Sequence, residues 1–489
     1  MKVNYKLKTE PYAHQMEALS RSITEDKFAF FMEMGTGKSK VLIDTIATIA
    51  GQDRIRFAFI IAPKGVYRNW VEKEIPEHFS DEVLYRVFYW QSKKTKAYEK
   101  DLKEFFRNDD PGVRIFVMNI EAFSSLRGKN IAQWITTRFG FQGLIAIDES
   151  TTIKNSTAKR TKVLTKLAPL FKYRRLLTGS PVTKAPMDLY SQCEFLEPGL
   201  LGYESYYSFM HRFAVLRKIE MGAHSFQKVV GYRNMDELTR KIDEFSYRVL
   251  KKDCLDLPEK TYTVRYVPMS PEQLSMYMDL QKEAVLLLDN GELVTAMQVM
   301  TQMLRVQQIL SGHVKTDDGE MIEVPTKRLD ALLECIEESS GKILIWSRFR
   351  YDIIKITAAL NKAYGEGSAA AYFGDTPDDE RQRIVKEFQS PLSDLRFFVG
   401  NPATAGYGLT LTEASTVIYY ANDFNLETRI QSEDRCHRIG QKNPVTYIDL
   451  ISEGTIDEKI VGSLRNKIDI GAKVLGEEAR KWLTLNPKS

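Results

Sequence analysis

The sequence predicts an α/β chain made of two parallel-sheet lobes with a largely helical stretch between them. Three observations carry this expectation. Short apolar runs alternate with helix-like segments in residues 28–190. The same alternation returns in residues 343–460. Between them, residues 189–323 show helical periodicity without strand-like runs. Alternating β and α segments specify an open parallel sheet covered by helices.

The elements follow in order. Phe28–Phe31, Phe57–Ala62, Ile115–Met118 and Leu144–Ile147 are short, rich in Ile, Val and Phe, and bounded by polar residues, as buried parallel strands are. Helical Val41–Ala50 and Lys96–Phe106 lie among them. In the second region Ile343–Trp346, Phe397–Val399 and Val417–Tyr420 read as strands, and Tyr351–Tyr364 and Asp379–Phe388 as helices. The middle contributes helical Gln281–Leu288 and Val294–Leu310, and Glu477–Leu485 reads as a short helical tail.

Composition fits this plan. The chain has 489 residues, 43% apolar and 27% charged, with a formal net charge of +4. That length suggests two to four domains at roughly 100–200 residues each. The cysteines at 193, 254, 335 and 436 are too far apart for a CxxC zinc site or a disulfide scaffold, which fits a reducing compartment. The six histidines include no HExxH pair. No apolar run approaches the ~18 residues of a membrane span, and Met1–Glu10 has no leader-like stretch. A cytoplasmic protein without membrane attachment is expected.

Met32-Glu33-Met34-Gly35-Thr36-Gly37-Lys38-Ser39 lies between a strand and a helix. Small residues let backbone N–H groups wrap phosphate oxygens at a helix N-terminus. Lys38 would reach the β- and γ-phosphates, and Ser39 would hold Mg²⁺. Met32 stands where the strict phosphate-loop pattern has glycine, so a chance glycine loop is the competing reading. Strand Leu144–Ile147 runs into Asp148-Glu149. Asp148 can hold the metal, and Glu149 can orient or deprotonate the attacking water. Arg435 and Arg438, three apart, could supply transition-state charge from one helix face; taken alone, they fit a solvated face equally well.

Residues 151–187 carry nine Lys or Arg and no Asp or Glu: Lys154, Lys159, Arg160, Lys162, Lys166, Lys172, Arg174, Arg175 and Lys184. Such a tract neutralises backbone phosphate without reading sequence, or is simply solvated surface. No zinc finger or other base-reading module is visible.

Taken together, Asp148-Glu149-Ser150-Thr151-Thr152-Ile153-Lys154-Asn155, Leu177-Thr178-Gly179-Ser180-Pro181 and Gln431 through Gln441 resemble the ordered motifs of helicase superfamily II. More narrowly they resemble the Swi/Snf family of ATP-driven DNA translocases. His437-Arg438-Ile439-Gly440-Gln441 is the most specific segment. Further segments fit in order: Pro11, His14 and Gln15; Ala62-Pro63-Lys64 with Asn69-Trp70; Trp346-Ser347-Arg348-Phe349; Gly406, Gly408, Leu409 and Leu411; and Gly454 to Glu458.

The resemblance implies two RecA-like lobes with ATP in the cleft between them and helical protrusions inserted. The boundaries it suggests are 1–190 for the ATP-binding lobe, 191–325 for the protrusions and link, 326–460 for the helicase C-terminal lobe and 461–489 for the tail. Leu257-Pro258-Glu259-Lys260 resembles the link into the second half. Carried over, Gln15 contacts adenine, and Gly35, Thr36, Gly37, Lys38 and Ser39 hold phosphate and Mg²⁺. Gly408, Gln431, Arg435 and Arg438 complete the site. Lys64, Asn69, Lys154, Lys159, Arg160, Arg348 and Thr410 are the expected DNA contacts. The sequence departs from the family at Ser150-Thr151, where Ala or Gly and then His are usual, and at Thr410, where Asn is usual.

The expected function is ATP-driven translocation on double-stranded DNA without sequence preference. Its outputs would be fork or branch remodelling, annealing, repair or recombination, by a monomer of bacterial, archaeal or phage-infected cells. No protein partner is indicated. A strand-separating DNA or RNA helicase and an ATP-gated DNA clamp are the alternatives.

Overall fold

The computed structural model describes residues 6–464, apart from 65, 93–94, 108–110, 180, 183–184, 222–223, 290–295, 317–318, 406–408, 424 and 463. The tail helix expected at 477–485 therefore lies outside the described residues. The chain divides into two compact units, with the boundary between Asp256 and Leu257.

The first unit opens with strands β1 (Lys27–Met32), β2 (Phe57–Ala62), β3 (Tyr85–Tyr89), β4 (Val113–Asn119), β5 (Gly143–Asp148) and β6 (Tyr173–Leu177). A hairpin follows, β7 (Ala214–Met221) and β8 (His224–Tyr232), and then β9 (Ser246–Val249). Seven of these form one parallel sheet in the order β3-β4-β2-β5-β6-β1-β9. The inner strands are apolar throughout because helices cover both faces; every residue of β2 and β5 is buried. At the β3 edge the strand is only half-buried.

The second unit contributes β10 (Lys260–Tyr266), β11 (His313–Lys315), β12 (Met321–Glu323), β13 (Lys342–Ser347), β14 (Ala369–Tyr372), β15 (Phe397–Gly400), β16 (Ala414–Ala421) and β17 (Val445–Ile451). Six of them form a second parallel sheet, β10-β17-β16-β13-β15-β14, and β11 pairs with β12 alone.

The middle is less helical than the sequence suggests. Helices Pro271–Asp289 and Ala296–Ser311 are present, but so are the β7–β8 hairpin, a strand of the first sheet (β9) and a strand of the second (β10). Short strands with alternating polar residues, such as Lys260–Tyr266, leave no continuous apolar run to read.

The basic tract after Asp148-Glu149 does not form one face. Arg175 is fully buried in β6 and donates to the carbonyls of Ser22, Glu25, Asp26 and Arg174 at 2.6–3.1 Å. Such a cation is tolerable in a core only because these acceptors satisfy it. On the helix Lys159–Leu167, by contrast, Lys159, Lys162 and Lys166 are all exposed.

The helix after the phosphate loop, Lys38–Gly51, carries a buried ion pair between Lys40 Nζ and Asp44 at 2.8 Å. Burial outweighs that pairing and raises the Asp44 carboxyl from 3.8 to about 6. Between these values the native state holds the proton more tightly than the unfolded chain. The stability Asp44 contributes is therefore full below about pH 4 and lost as pH rises through about 6. The shift corresponds to about 3 kcal/mol. Urea midpoints of wild type and Asp44→Asn at pH 4 and 7 check this: the variant should gain relative to wild type at the higher pH. A pH-independent difference would show that Lys40 keeps Asp44 ionised throughout.

Candidate nucleotide site

Three loops leave the carboxyl ends of the adjacent strands β1, β6 and β5, where ligands of open parallel sheets bind. The β1 loop is Glu33–Gly37, leading into helix Lys38–Gly51. Gly35 (φ 78°) and Gly37 (φ 88°) take the left-handed conformation that turns the chain under the helix N-terminus. Met32 explains itself. It is the fully buried last residue of β1, and the turn begins after it, so glycine is not needed there.

Gln15 and His14 brace this loop. Gln15 Nε2 donates to the Thr36 carbonyl at 3.0 Å, His14 Nε2 lies 2.9 Å from the same oxygen, and Gln15 Oε1 accepts from the Tyr12 amide at 3.1 Å. The Thr36 hydroxyl closes back on Glu33 O at 2.6 Å. A Cβ on Gly37 would sit 2.1 Å from Gln15 Nε2. Gly37→Ala therefore combines left-handed strain of roughly 1–2 kcal/mol with displacement of Gln15. We expect the KM for ATP to rise about tenfold; an unchanged KM would mean that Gln15 does not set the loop.

At the end of β5, Asp148 is buried and Trp70 Nε1 donates to its Oδ2 at 3.0 Å, while its Oδ1 accepts from the Glu149 amide at 3.0 Å. Burial pushes the Asp148 carboxyl up, opposed by the Lys38 ammonium, the Trp70 indole and the Glu149 amide. A desolvated carboxylate near a phosphate-loop lysine fits a divalent cation, with Ser39 in the first helical turn as the second oxygen donor. Trp70 lies in a π-helical turn, Trp70–Glu74, that interrupts the helix running from Tyr67 to His78.

Glu149 is one of three non-glycine residues with positive φ among the described residues (50°). Its carbonyl accepts from the Thr152 amide and hydroxyl at 3.0 and 2.8 Å, which pins the turn. A strained conformation held by its surroundings aims the side chain. Thr178 Oγ1 at the end of β6 lies 3.5 Å from Glu149 Oε2. Gly179 lies close against the β1 loop: a Cβ there would come within 3.0 Å of Met34 N, a tight contact. Arg248 of β9 donates to the carbonyls of Phe31 and Gly179, both at 3.0 Å, tying the β1 and β6 loops together.

The unusual Ser150-Thr151 pair is buried. Ser150 Oγ donates to Gln192 Oε1 at 2.6 Å, and the Gln192 amide donates to Pro181 O and Asp188 O at 2.7 and 2.8 Å. A hydroxyl here connects the acid turn to the segment that follows Thr178-Gly179, which an alanine or glycine side chain does not do.

In the second unit, helix Leu426–Glu433 ends before Arg435, so Arg435 and Arg438 lie in turns and not on one helix face as expected. They still converge: Arg435 Nη1 and Arg438 Nη1 donate to the same carbonyl, Leu409 O, at 3.2 and 3.0 Å. Arg435 Nε also donates to Gln431 O at 2.8 Å, and Gln431 Nε2 to Glu427 at 3.3 Å. Gly408 lies outside the described residues; Thr410 is half-buried beyond it.

The expected DNA contacts occupy varied settings. Lys64 is exposed, and Asn69 Nδ2 donates to Glu74 at 3.1 Å. Lys154 is half-buried, Lys159 is exposed, and Arg160 Nε caps Thr152 O at 3.0 Å. Arg348 donates to Gln307 at 3.0 Å and pairs with Asp423 at 3.5 Å. Sequence reasoning missed the bracing by His14, Arg248 and Gln192 and the Trp70–Asp148 bond. No spacing signal marks contacts made across a fold.

A phosphate loop and a strand-end acid pair on one parallel sheet define a P-loop nucleotide triphosphatase. The SNF2-related domain matches residues 27–314, more than half the chain, and the helicase conserved C-terminal domain matches residues 327–440. The chain belongs to the SNF2-related family, the ATPases of helicase superfamily II. YwqA of Bacillus subtilis, whose name calls it an ATP-dependent helicase/translocase, is 26% identical over 92% of this chain and 46% of its own length. The DNA repair and recombination protein RAD54B of Gallus gallus is 26% identical over 94% of this chain and 54% of its own. The chain thus spans about half the length of these curated relatives. The Sulfolobus solfataricus SWI2/SNF2 ATPase core in complex with dsDNA is 25% identical over 98% of this chain and 100% of that one, with a TM-score of 0.43. Among the described residues no helix is long and apolar enough to cross a membrane, and no His, Cys, Asp and Glu cluster suits a structural metal. All four cysteines are free.

Proposed function

We propose that this chain hydrolyses ATP to translocate along double-stranded DNA without sequence preference, acting as a monomer in remodelling forks, branches or protein–DNA complexes. The observation that carries the reading is the convergence of the glycine loop, Thr178-Gly179 and Asp148-Glu149 on three neighbouring strand ends. The names of YwqA and RAD54B, a helicase/translocase and a repair and recombination protein, support the class of work.

In this reading Gln15 reads adenine, the amides of Gly35–Gly37 cradle phosphate, and Lys38 holds the β- and γ-phosphates. Ser39 and Asp148 hold Mg²⁺, which when bound neutralises charge on the phosphate oxygens. Glu149, aimed by its left-handed turn and contacted by Thr178, orients and deprotonates the attacking water. Arg435 and Arg438 supply positive charge during turnover, with Gln431 and Gly408 supporting them. Lys64, Asn69, Lys154, Lys159, Arg160, Arg348 and Thr410 contact the DNA backbone. The division expected at 190/191 and 325/326 is replaced by one at Asp256/Leu257, since β9 belongs to the first sheet and β10 to the second; the ATP-binding part is proposed to end there and the helicase C-terminal part to begin.

The test is ATPase rate against duplex, single-stranded and forked DNA and RNA over a salt series. Duplex DNA should stimulate most. If ~4–6 phosphates are neutralised, log K should fall against log salt with a slope of roughly −4 to −5. Stimulation by RNA and not by duplex DNA would overturn the reading.

A further inference from the structure

We propose that the β7–β8 hairpin is an arm that grips the phosphate backbone of duplex DNA, an inference that rests on the DNA reading above. The hairpin pairs with neither parallel sheet: its two strands form a sheet of their own, from Ala214↔Tyr232 out to Met221↔His224. At eight residues per strand or more it reaches about 25 Å.

Its base is anchored and its shaft is open. Phe213 and Ala214 are buried, Arg233 N donates to Phe213 O at 2.9 Å, and Asn234 Nδ2 donates to Arg212 O at 2.9 Å. Beyond that point Val215, Arg217, Lys218, Gln227 and Val230 are exposed, so residues of both strand parities face solvent. A lone two-stranded hairpin is at best marginally stable in water, and open strand edges are normally covered or charged. This one is predominantly basic. His211–Arg233 carries five Lys or Arg (Arg212, Arg217, Lys218, Lys228, Arg233) against one acid, Glu220. Within Ala214–Tyr232 itself Arg217, Lys218 and Lys228 stand against Glu220, 3 − 1 = +2, while Arg212 at the base is ion-paired with Glu237.

The register sharpens the argument. Arg217 stands directly opposite Lys228 in the ladder, with Lys218 opposite Gln227. The register thus sets basic positions of the two strands level with one another along the backbone ladder. A two-stranded ribbon also fits the roughly 12 Å major groove, where phosphates line both margins. Two of the exposed polar side chains of the described shaft, Arg217 and Lys218, are cations, so the interaction is mainly one of grip and orientation.

The experiment uses the full chain as wild type, as R217E/K218E, and with residues 215–231 replaced by Asn-Gly, a turn that can close Ala214 onto Tyr232. Binding to a blunt 40-bp duplex is measured across a salt series alongside DNA-free ATPase. Both variants should keep the DNA-free rate, since no residue of the nucleotide site is touched. The charge-reversed pair should bind duplex about tenfold more weakly, with a salt slope shallower by about 2, as expected when two phosphates are no longer neutralised. Equal affinity and slope in wild type and both variants would overturn the arm while leaving the DNA reading intact. A wild type that binds no duplex would overturn both.

Discussion

Glu149→Gln should bind ATP as wild type does and lose turnover by about 10²–10⁴-fold, the range supplied by a positioned general base. The amide preserves shape and cannot take a proton. The Glu149 carbonyl accepts from the Thr152 amide and hydroxyl, contacts that the substitution leaves in place. Lys38→Ala gives the contrasting outcome, losing both ATP affinity and turnover, because the phosphate-binding ammonium is removed. Equilibrium binding of a fluorescent ATP analogue and single-turnover hydrolysis separate the two. Near-normal hydrolysis in Glu149→Gln would place the base elsewhere.

The second large effect is that of Arg438→Ala. An arginine that neutralises phosphoryl-transfer charge is worth ~10³–10⁵ in rate. Leu409 O keeps its bond from Arg435 at 3.2 Å when Arg438 is truncated, so the turn should persist. ATP affinity should hold while turnover falls by at least about 10³. A fall of less than tenfold would make Arg438 a brace for the Leu409 turn and not a source of transition-state charge.

The readability of the sequence followed the physics of each element. Buried parallel strands announce themselves as apolar runs, and Phe57–Ala62 is recovered residue for residue. β6 hid behind Arg174 and Arg175, because a core arginine satisfied by four carbonyls looks in sequence like surface charge. β17 hid behind Asp449, which is buried against Arg429 and Asn422. The hairpin mixes polar and apolar residues with no regular period, and β10 alternates them, in a stretch where helical periodicity dominates.

In the candidate site, local motifs were legible because phosphate loops and strand-end acids are contiguous in sequence. Their bracing was not. Trp70 reaches Asp148 across 78 residues, Ser150 reaches Gln192 across 42, and Arg248 reaches Phe31 across 217. The Arg435–Arg438 spacing suggested a helix face, yet helix Leu426–Glu433 ends first and the two side chains meet on a carbonyl instead.

The most direct test of the central claim is displacement of a third strand from a triplex placed beyond a duplex loading site. Only a difference in ATP affinity between conformational states can drive movement, so displacement must require hydrolysis. The account predicts release of the third strand with ATP, and none with a non-hydrolysable analogue or with Glu149→Gln. Robust duplex-stimulated hydrolysis with no displacement, on duplexes long enough to load, would contradict translocation and leave an ATP-gated clamp.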